Sequence, residues 1–243
     1  LGQNVNAYES NGFRLSDLIL SIEKLNEIKR VRYTTSHPKD MTDDLIEVYK
    51  SSNKLMPLVH LPVQSGSNKI LKLMNRNHSI ENYLETFNKL KEINSKIEFS
   101  SDFIIAYPGE ENQDFEDTLN LIKKVKFINS YSYIFSPRPG TVSENLNLID
   151  KKTSFERLEI IQNELFENQI QKNKSLENSI VEVLVENFTE DKTKTFGRSK
   201  HMTSVIFDGK KSDIGKIVQV KITKSNRSTL FGEIVDNSNQ KVA

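Results

Sequence analysis

Six short stretches of the sequence combine small, polar and charged residues in a way that favours ligand binding. They read GQNVN at 2–6, TTSHP at 34–38, PVQSGS at 62–67, SSD at 100–102, YPGEE at 107–111 and SPRPGT at 136–141. Their side chains and backbone amides donate and accept hydrogen bonds, and aspartate and arginine add charge. The sequence therefore indicates a site for a polar ligand. It assigns no catalytic residue, because no Ser-His-Asp set, phosphate loop or metal-ligand spacing stands out.

Two of these stretches also have simple structural explanations. Ser65 or Ser67 would cap a helix that continues through Ile70. Alternatively, the free amides at that helix start would hold a ligand carboxylate. The Pro-Gly-Glu sequence at 108–110 fits an ordinary turn before the next helix. Both explanations stay open for each stretch.

Asp102 is a sharper candidate because apolar residues follow it at 103–105. An inward carboxylate in such a strand costs several kcal/mol, on the order of 2–7, unless it is hydrogen-bonded or paired. We therefore expect a ligand contact or a structural partner such as Arg76 or Arg138. The histidines fit loop, core or surface positions better than a proton shuttle: His37, His60, His78 and His201.

The elements that position these stretches alternate between short β-rich runs and amphipathic helices, which is typical of βα units around a parallel sheet. Ligands bind at the carboxyl ends of such strands, where the polar stretches lie. The predicted strands are Val31–Thr35, Leu58–Leu61, Glu98–Ala106 and Tyr131–Phe135. The predicted helices carry apolar stripes over residues 18–28, 45–49, 83–90 and 115–125, and a longer helix runs from Ser154 to about Lys174, capped by Thr153 with Glu156.

The sequence pattern changes after residue 177. Apolar residues alternate with polar ones at 181–186 and 218–223, and further runs lie at 203–207 and 230–235. A period of two predicts half-buried strands, and four or five of them without a clear helix predict a small OB-like barrel. We therefore expect an α/β class, with a partial parallel (βα) barrel over residues 1–176 and an all-β barrel over 177–243.

Composition excludes several classes of protein. The chain of 243 residues has no cysteine, so it forms no disulfide and offers no thiolate to a metal or an iron–sulfur cluster. No apolar run approaches the roughly 20 residues that cross a bilayer, and we expect no membrane association. The chain begins at Leu1 with what resembles a strand end, from which we expect a preceding βα unit.

Longer phrases resemble one enzyme family, the radical S-adenosylmethionine methylthiotransferases. The phrases are LGQNVNAY, RVRYTTSHPKDM, HLPVQSGSNKILKLMNRNHS, SSDFIIAYPGEENQDFEDTL, YSYIFSPRPGT and FGRSKHMTSVIF. They span nearly the whole chain and stand in family order. Within the family, YSYIFSPRPGT and the FGRS segment look more like the branch that modifies transfer RNA than the branch that modifies a ribosomal protein.

The resemblance implies a six-stranded partial radical-SAM barrel followed by an RNA-binding TRAM domain. It implies S-adenosylmethionine and two four-iron, four-sulfur clusters as cofactors, with the cluster cysteines upstream of this chain, so we expect the chain alone to be inactive. The implied reaction places a methylthio group on C2 of an N6-isopentenyl adenosine next to the anticodon. By match to the family phrases, the cofactor contacts are Gln3, Asn4, Ser36, Gln64, Ser65, Ser67, Arg76, Asp102 and Arg138.

Charge supports an RNA partner for the last part of the chain. Residues 178–243 contain eleven lysines and arginines against eight acidic residues, whereas the rest is slightly acidic. Such cations contact phosphates, although ordinary solvated side chains would give the same count. The candidate RNA contacts are Arg198, Lys200, Lys216, Lys221, Lys224 and Arg227, with Lys210 and Lys211 close in sequence.

Three functional hypotheses follow. The first is a transfer RNA methylthiotransferase that also needs an electron donor, and that works as a monomer in the cytoplasm. The second is a related enzyme that acts on a ribosomal protein or on another transfer RNA adenosine. The third is a non-catalytic RNA-binding protein that keeps the partial barrel as a scaffold.

Overall fold

The structure is a computed structural model that describes residues 4–140 and 142–235. It divides into two compact units, one up to Leu165 and one from Phe166 on. The domain boundary at 176/177 stays a prediction. The α-helices are α1 Leu15–Glu23, α2 Asp43–Ser51, α3 Asn68–Leu73, α4 Ile80–Ile93, α5 Asn112–Val125 and α6 Lys151–Ser175. The strands are β1 Glu9–Ser10, β2 Phe13–Arg14, β3 Leu58–His60, β4 Glu98–Ser100, β5 Asp102–Ile105, β6 Tyr131–Ile134, β7 Ile180–Phe188, β8 Thr195–Ser199, β9 Ser204–Asp208, β10 Ile217–Ser225 and β11 Thr229–Ile234.

The first unit is built from short parallel segments joined by helices. β3 pairs with β4 and β5 pairs with β6, both in parallel. Two isolated parallel bridges, Val31 to Leu55 and Gln64 to Phe103, connect further segments to these strand pairs. We call this set of side-by-side parallel segments the wall. The amide of Val5 donates to the carbonyl of Thr35, which adds the segment before it. Five consecutive chain segments therefore lie side by side, as a partial (βα) barrel requires.

One face of this wall packs against the helices. Val59, Leu61, Phe99 and Phe103 are at most 1% exposed and form one core with helix residues such as Ile122. Burying each such side chain contributes about 1.5–3 kcal/mol. Because side chains alternate along a strand, the residues between them point away from the helices.

Two predicted strands differ from the structure. Only Val31 of the segment Val31–Thr35 forms a bridge, and Thr35 at the end of the segment adopts a left-handed backbone conformation with φ 64°. The strand predicted over Glu98–Ala106 is interrupted at Ser101. There the amide of Ser101 donates to Ser130 Oγ, and its hydroxyl accepts from the Val63 amide, so side chains replace ladder bonds.

The helix predictions hold except at their ends. α1 ends at Glu23, so the stripe predicted to reach residue 28 extends too far. The cap predicted at Thr153 is wrong, because α6 begins at Lys151 and the Asp150 carboxylate accepts from the Thr153 amide. An Asp at this position is an equally good cap. Ser67 does cap a helix, since its hydroxyl accepts from the Ile70 amide.

The second unit contains a closed five-stranded barrel in the order β10-β11-β9-β8-β7. β11 and β9 run parallel, and the other neighbours run antiparallel. Its core is apolar: Val183, Val185, Val205, Phe207, Val220, Ile222 and Leu230. Val183, Val185, Val220 and Ile222 belong to the two alternating runs that predicted half-buried strands, and the other three lie in the further predicted runs at 203–207 and 230–235. The expectation of an OB-like barrel is confirmed.

β8 is the strand that the apolar pattern missed, although it contains the FGRS segment. A Cβ on Gly197 would lie 2.4 Å from the carbonyl oxygen of Leu184. β7 and β8 can approach this closely only because residue 197 is a glycine. Glycine and arginine at 197 and 198 lower the apolar content that marks a strand.

Candidate cofactor site

The predicted polar stretches meet on neighbouring segments of the first unit. The Gln64 amide donates to the Asp102 carbonyl, and the Ile104 amide donates to the Gln64 carbonyl. Asn6 joins residue 4 to the next stretch, because its side chain bonds both the amide and the carbonyl of His37. Asn4, Ser36, Gln64 and Asp102 therefore follow one another along the wall. Gln3 lies outside the described residues.

Left-handed backbone marks three of these strand ends. Thr35, Gln64 and Ala106 have φ values of 64°, 74° and 57°. A residue other than glycine in this region costs on the order of 1–3 kcal/mol, and such strain is common at ligand sites. The strain supports a functional role for the edge where the three segments end.

Two buried polar atoms at this edge have no hydrogen-bond partner. Asn4 donates through Nδ2 to Asp40 Oδ2 at 2.6 Å, but its Oδ1 accepts no hydrogen bond. Ser36 is 5% exposed and its Oγ is also unpaired. An unsatisfied buried polar group costs about 1–3 kcal/mol. A polar ligand that bonds both atoms would remove that cost.

The hydroxyls of Ser65 and Ser67 form hydrogen bonds within the protein. Ser65 Oγ lies 3.3 Å from Thr118 Oγ1, and Ser67 Oγ donates to Asp114 Oδ1 at 2.6 Å. Between them, a Cβ on Gly66 would lie 2.5 Å from the carbonyl oxygen of Asp117 in α5. The loop therefore packs closely against α5. These hydrogen bonds account for a serine at each of the two positions without a ligand.

Asp102 lies on the face of the wall opposite the helices. Its Oδ2 is 3.6 Å from His60 Nε2, and His60 Nδ1 lies 2.9 Å from Ser100 Oγ. The Asp102 side chain is 34% exposed, so it keeps acceptor capacity for a ligand. The structure pairs Asp102 with a histidine that sequence reasoning placed in the core or rim.

Arg76 belongs to a group of three basic side chains at the same end of the unit. The rings of His37 and His78 meet edge to face at 5.4 Å. Burial lowers the pKa of His78 to about 4, and the neighbouring His37 and Arg76 contribute. Burial also lowers the pKa of His37, again with help from Arg76. His78 was predicted at the surface, which is wrong because both ring nitrogens are buried.

His37 matches its prediction as a loop histidine, since its Nδ1 accepts from the Lys39 amide at 3.2 Å. Arg138 lies in an exposed loop four residues after β6, and the structure leaves its role a prediction. Sequence reasoning missed Arg157 in α6. Its Nη1 donates to both Oε1 and the backbone carbonyl of Glu110. Arg157 therefore fixes the loop that follows β5.

The candidate RNA contacts divide into two groups. Three are engaged within the second unit: Arg198 with Glu186 at 3.4 Å, Lys200 with Glu182 at 3.3 Å, and Arg227 over the Phe166 ring at 4.1 Å. Lys216, Lys221 and Lys224 are exposed and form no salt bridge within the described residues. The exposed ammonium groups of the second group are better placed than the first to contact RNA phosphates.

Comparison with known proteins identifies the family. Residues 2–122 match the radical SAM superfamily, and residues 174–235 match the TRAM domain. The chain belongs to the radical SAM superfamily. A tRNA-2-methylthio-N(6)-dimethylallyladenosine synthase from Pelagibacter ubique is 65% identical over 247 residues, covering 100% of this chain and 55% of the relative. The synthase of the same name from Rickettsia akari is 46% identical, covering 97% of this chain and 54% of the relative.

A solved radical SAM enzyme shares the fold. Coproporphyrinogen III oxidase from Escherichia coli superimposes with a TM-score of 0.52 at 12% identity, covering 86% of this chain and 51% of that chain. The present chain of 243 residues spans about half the length of the curated relatives it matches. No helix among the described residues is long and apolar enough to cross a membrane.

Membership in the radical SAM superfamily implies S-adenosylmethionine and an iron–sulfur cluster as cofactors. The unpaired Asn4 Oδ1 and Ser36 Oγ fit the many polar groups of S-adenosylmethionine. A cluster needs thiolate ligands, and the chain has no cysteine, so its own residues do not fit one. Within 4–140 and 142–235, no group of three metal-binding side chains converges on one point.

Proposed function

We propose that the whole protein is a transfer RNA methylthiotransferase that modifies C2 of N6-isopentenyladenosine next to the anticodon. The observation that carries this proposal is 65% identity, across the full chain, to a relative named for that reaction. The TRAM match and the basic last unit favour RNA as the substrate. The carbon–hydrogen bond at C2 is inert, so the reaction needs a cofactor-derived radical.

The residues of this chain would bind and orient the cofactor. When bound, S-adenosylmethionine supplies a 5′-deoxyadenosyl radical for hydrogen abstraction. We assign its polar groups to Asn4, Ser36, Gln64 and Asp102, with Gln3, Arg76 and Arg138 as further contacts that the family phrases suggest. Ser65 and Ser67 position the loop that carries Gln64. Holding the reacting groups in place and excluding water is the contribution of the protein.

The remaining parts of the proposal concern partners. We assign transfer RNA phosphates to Lys216, Lys221 and Lys224, with Arg198, Lys200 and Arg227 as secondary contacts. Two four-iron, four-sulfur clusters and an electron donor would complete the system, with cluster ligands from outside this chain. The protein would act as a monomer in the cytoplasm.

One experiment tests the proposed reaction. The whole protein, with clusters reconstituted anaerobically, is incubated with S-adenosylmethionine, a reductant and sulfide. Transfer RNA from a methylthio-deficient strain and ribosomal protein are supplied together as the two possible substrates. Mass spectrometry of the digested nucleosides is expected to show the methylthio group on N6-isopentenyladenosine. Modified ribosomal protein with unmodified transfer RNA would favour the related enzyme instead. No product on either substrate, with both clusters present, would contradict the proposal.

A further inference from the structure

The open face of the first unit carries an aromatic pair that the cofactor contacts do not use. Phe103 and Ile105 of β5 are 0% and 1% exposed in the core against the helices. Asp102 and Ile104 alternate with them and so lie on the opposite face. In the parallel pairing with β6, Asp102 is in register with Tyr131, and Ile104 is in register with Tyr133. Both tyrosines therefore lie on the open face beside Asp102.

These tyrosines are unusually exposed for aromatic residues on a strand. Tyr131 is 60% exposed and Tyr133 is 57% exposed. Their rings are nearly parallel, with an interplanar angle of 13° and a centroid distance of 6.5 Å. Two nearly parallel phenol rings on a rigid strand offer aromatic faces to a partner and lose little conformational entropy on binding. Such a pair suits a planar partner.

Charge narrows the choice of partner. Asp102, in register with Tyr131, disfavours a phosphate or carboxylate at this surface. Its carboxylate has two acceptor oxygens, so beside the cofactor contact assigned above it can accept a further hydrogen bond, and an adenine base offers an N–H at its exocyclic nitrogen. Proteins that bind single-stranded or looped RNA stack unpaired bases on tyrosine in this way. An unstacked purine matches both the rings and the carboxylate.

We propose that Tyr131 and Tyr133 form the stacking surface that positions the target adenine of the RNA substrate beside the Asp102 carboxylate. This inference rests on the proposed function and names the residues that would select the base. The exposed lysines of the last unit bind phosphates without regard to sequence. Stacking on the tyrosine pair would make RNA binding depend on a base that is flipped out of its strand.

The test compares two RNA hairpins that differ at one position. Both have an anticodon-like loop; one carries N6-isopentenyladenosine at the target position and the other is abasic there. Fluorescence anisotropy gives the Kd of each hairpin for the protein. The wild-type protein is expected to bind the base-containing hairpin more tightly. Tyr131→Ala and Tyr133→Ala are each expected to reduce that preference about fivefold or more, because one stacking contact is lost.

Matched variants separate stacking from other effects. Tyr131→Phe and Tyr133→Phe keep the rings and are expected to keep the preference. Tyr8→Ala removes another exposed tyrosine of the same unit, which is 42% exposed, and is expected to change neither Kd. Affinity for S-adenosylmethionine, measured by calorimetry on the same proteins, is expected to be unchanged in every variant.

Three results would overturn the inference in distinguishable ways. A preference that survives both alanine substitutions removes the tyrosines from base recognition. Loss of S-adenosylmethionine affinity with an intact hairpin preference assigns the pair to the cofactor adenine instead. If the wild-type protein binds neither hairpin, the proposed RNA function fails first, and the inference fails with it.

Discussion

Arg157 Nη1 lies 2.8 Å from Glu110 Oε1, and the two side chains are 8% and 2% exposed. Glu110 Oε1 also accepts from the Ala106 amide, and Arg157 Nη2 donates to Asn112 Oδ1. This buried pair thus anchors α6 to the loop in which Ala106 has its left-handed conformation. One end of the candidate site depends on a residue about 50 positions away in the sequence.

Breaking this pair is expected to destabilise the first unit strongly. Arg157→Met leaves the Glu110 carboxylate buried without its partner, which costs about 3–5 kcal/mol. Burial already raises the pKa of Glu110 while Arg157 opposes it, so the variant should protonate Glu110 at a higher pH. Urea unfolding followed by circular dichroism measures the loss.

A control on the same helix checks that burial causes the effect. Lys152 lies 3.8 Å from Glu156, with side chains 86% and 59% exposed. Lys152→Met is expected to change stability by no more than about 0.5 kcal/mol. Equal losses in Arg157→Met and Lys152→Met would refute a special role for the buried pair.

Ser36 is expected to show opposite effects on stability and binding. Ser36→Ala removes an unpaired buried hydroxyl, so the unliganded protein should become more stable, by about 1 kcal/mol. The same change should weaken S-adenosylmethionine binding, because a ligand bond is lost. Thermal unfolding without ligand and calorimetry with ligand give the two quantities.

Ser67→Ala is the matched control for Ser36→Ala. Ser67 caps α3 and bonds Asp114, so its loss should destabilise the protein by about 1–2 kcal/mol. Lower stability in Ser36→Ala, together with unchanged cofactor affinity, would show that the Ser36 hydroxyl serves the fold and no ligand.

His78 is expected to make stability depend on pH. Its folded-state pKa of about 4 lies below the ordinary value of 6.5 because the ring is buried. The unfolded chain therefore binds a proton more readily, and the stabilising contribution is complete above pH 6.5 and decreases as pH falls toward 4. His78→Gln should unfold with a flatter dependence between pH 7 and pH 4.5. A wild-type slope in that variant would place the sensitivity at other groups.

The exposed lysines of the barrel are expected to set the salt dependence of RNA binding. Lys221→Glu with Lys224→Glu should weaken binding and reduce the slope of log K against log salt by about 1 or more. Lys194→Glu is the control, since Lys194 already pairs with Asp208 at 2.7 Å. The assignment fails if both proteins show the same slope.

Much of this architecture could be predicted because it follows from local pattern. Alternation of apolar and polar residues at 181–186 and 218–223 predicted the barrel strands, and apolar stripes predicted the helices. These sequence patterns do not reveal where a side chain replaces a backbone partner. One example is Ser101, whose amide donates to the Ser130 hydroxyl. They also cannot foresee that Gly197 is needed for close approach of β7 to β8.

The candidate site was harder to predict than the fold. Polar stretches at strand ends predicted the region, but the division of roles depends on tertiary contacts. Ser65 and Ser67 bond to side chains of α5, whereas Ser36 Oγ remains unpaired, and all three are serines in predicted polar stretches at strand ends. Arg157 and Tyr133 carried no signal, because one resembled a helix surface charge and the other an ordinary strand residue.

We expect the ends of neighbouring parallel segments in the first unit to bind S-adenosylmethionine. Hydrogen–deuterium exchange of the whole protein, with and without S-adenosylmethionine, measures this binding segment by segment. We predict slower amide exchange at residues 34–37, 63–66 and 102–107 when the cofactor is present, and unchanged exchange in β7 and β10. Protection confined to the barrel, or protection absent from all three segments at saturating cofactor, would show that S-adenosylmethionine does not bind at these segment ends.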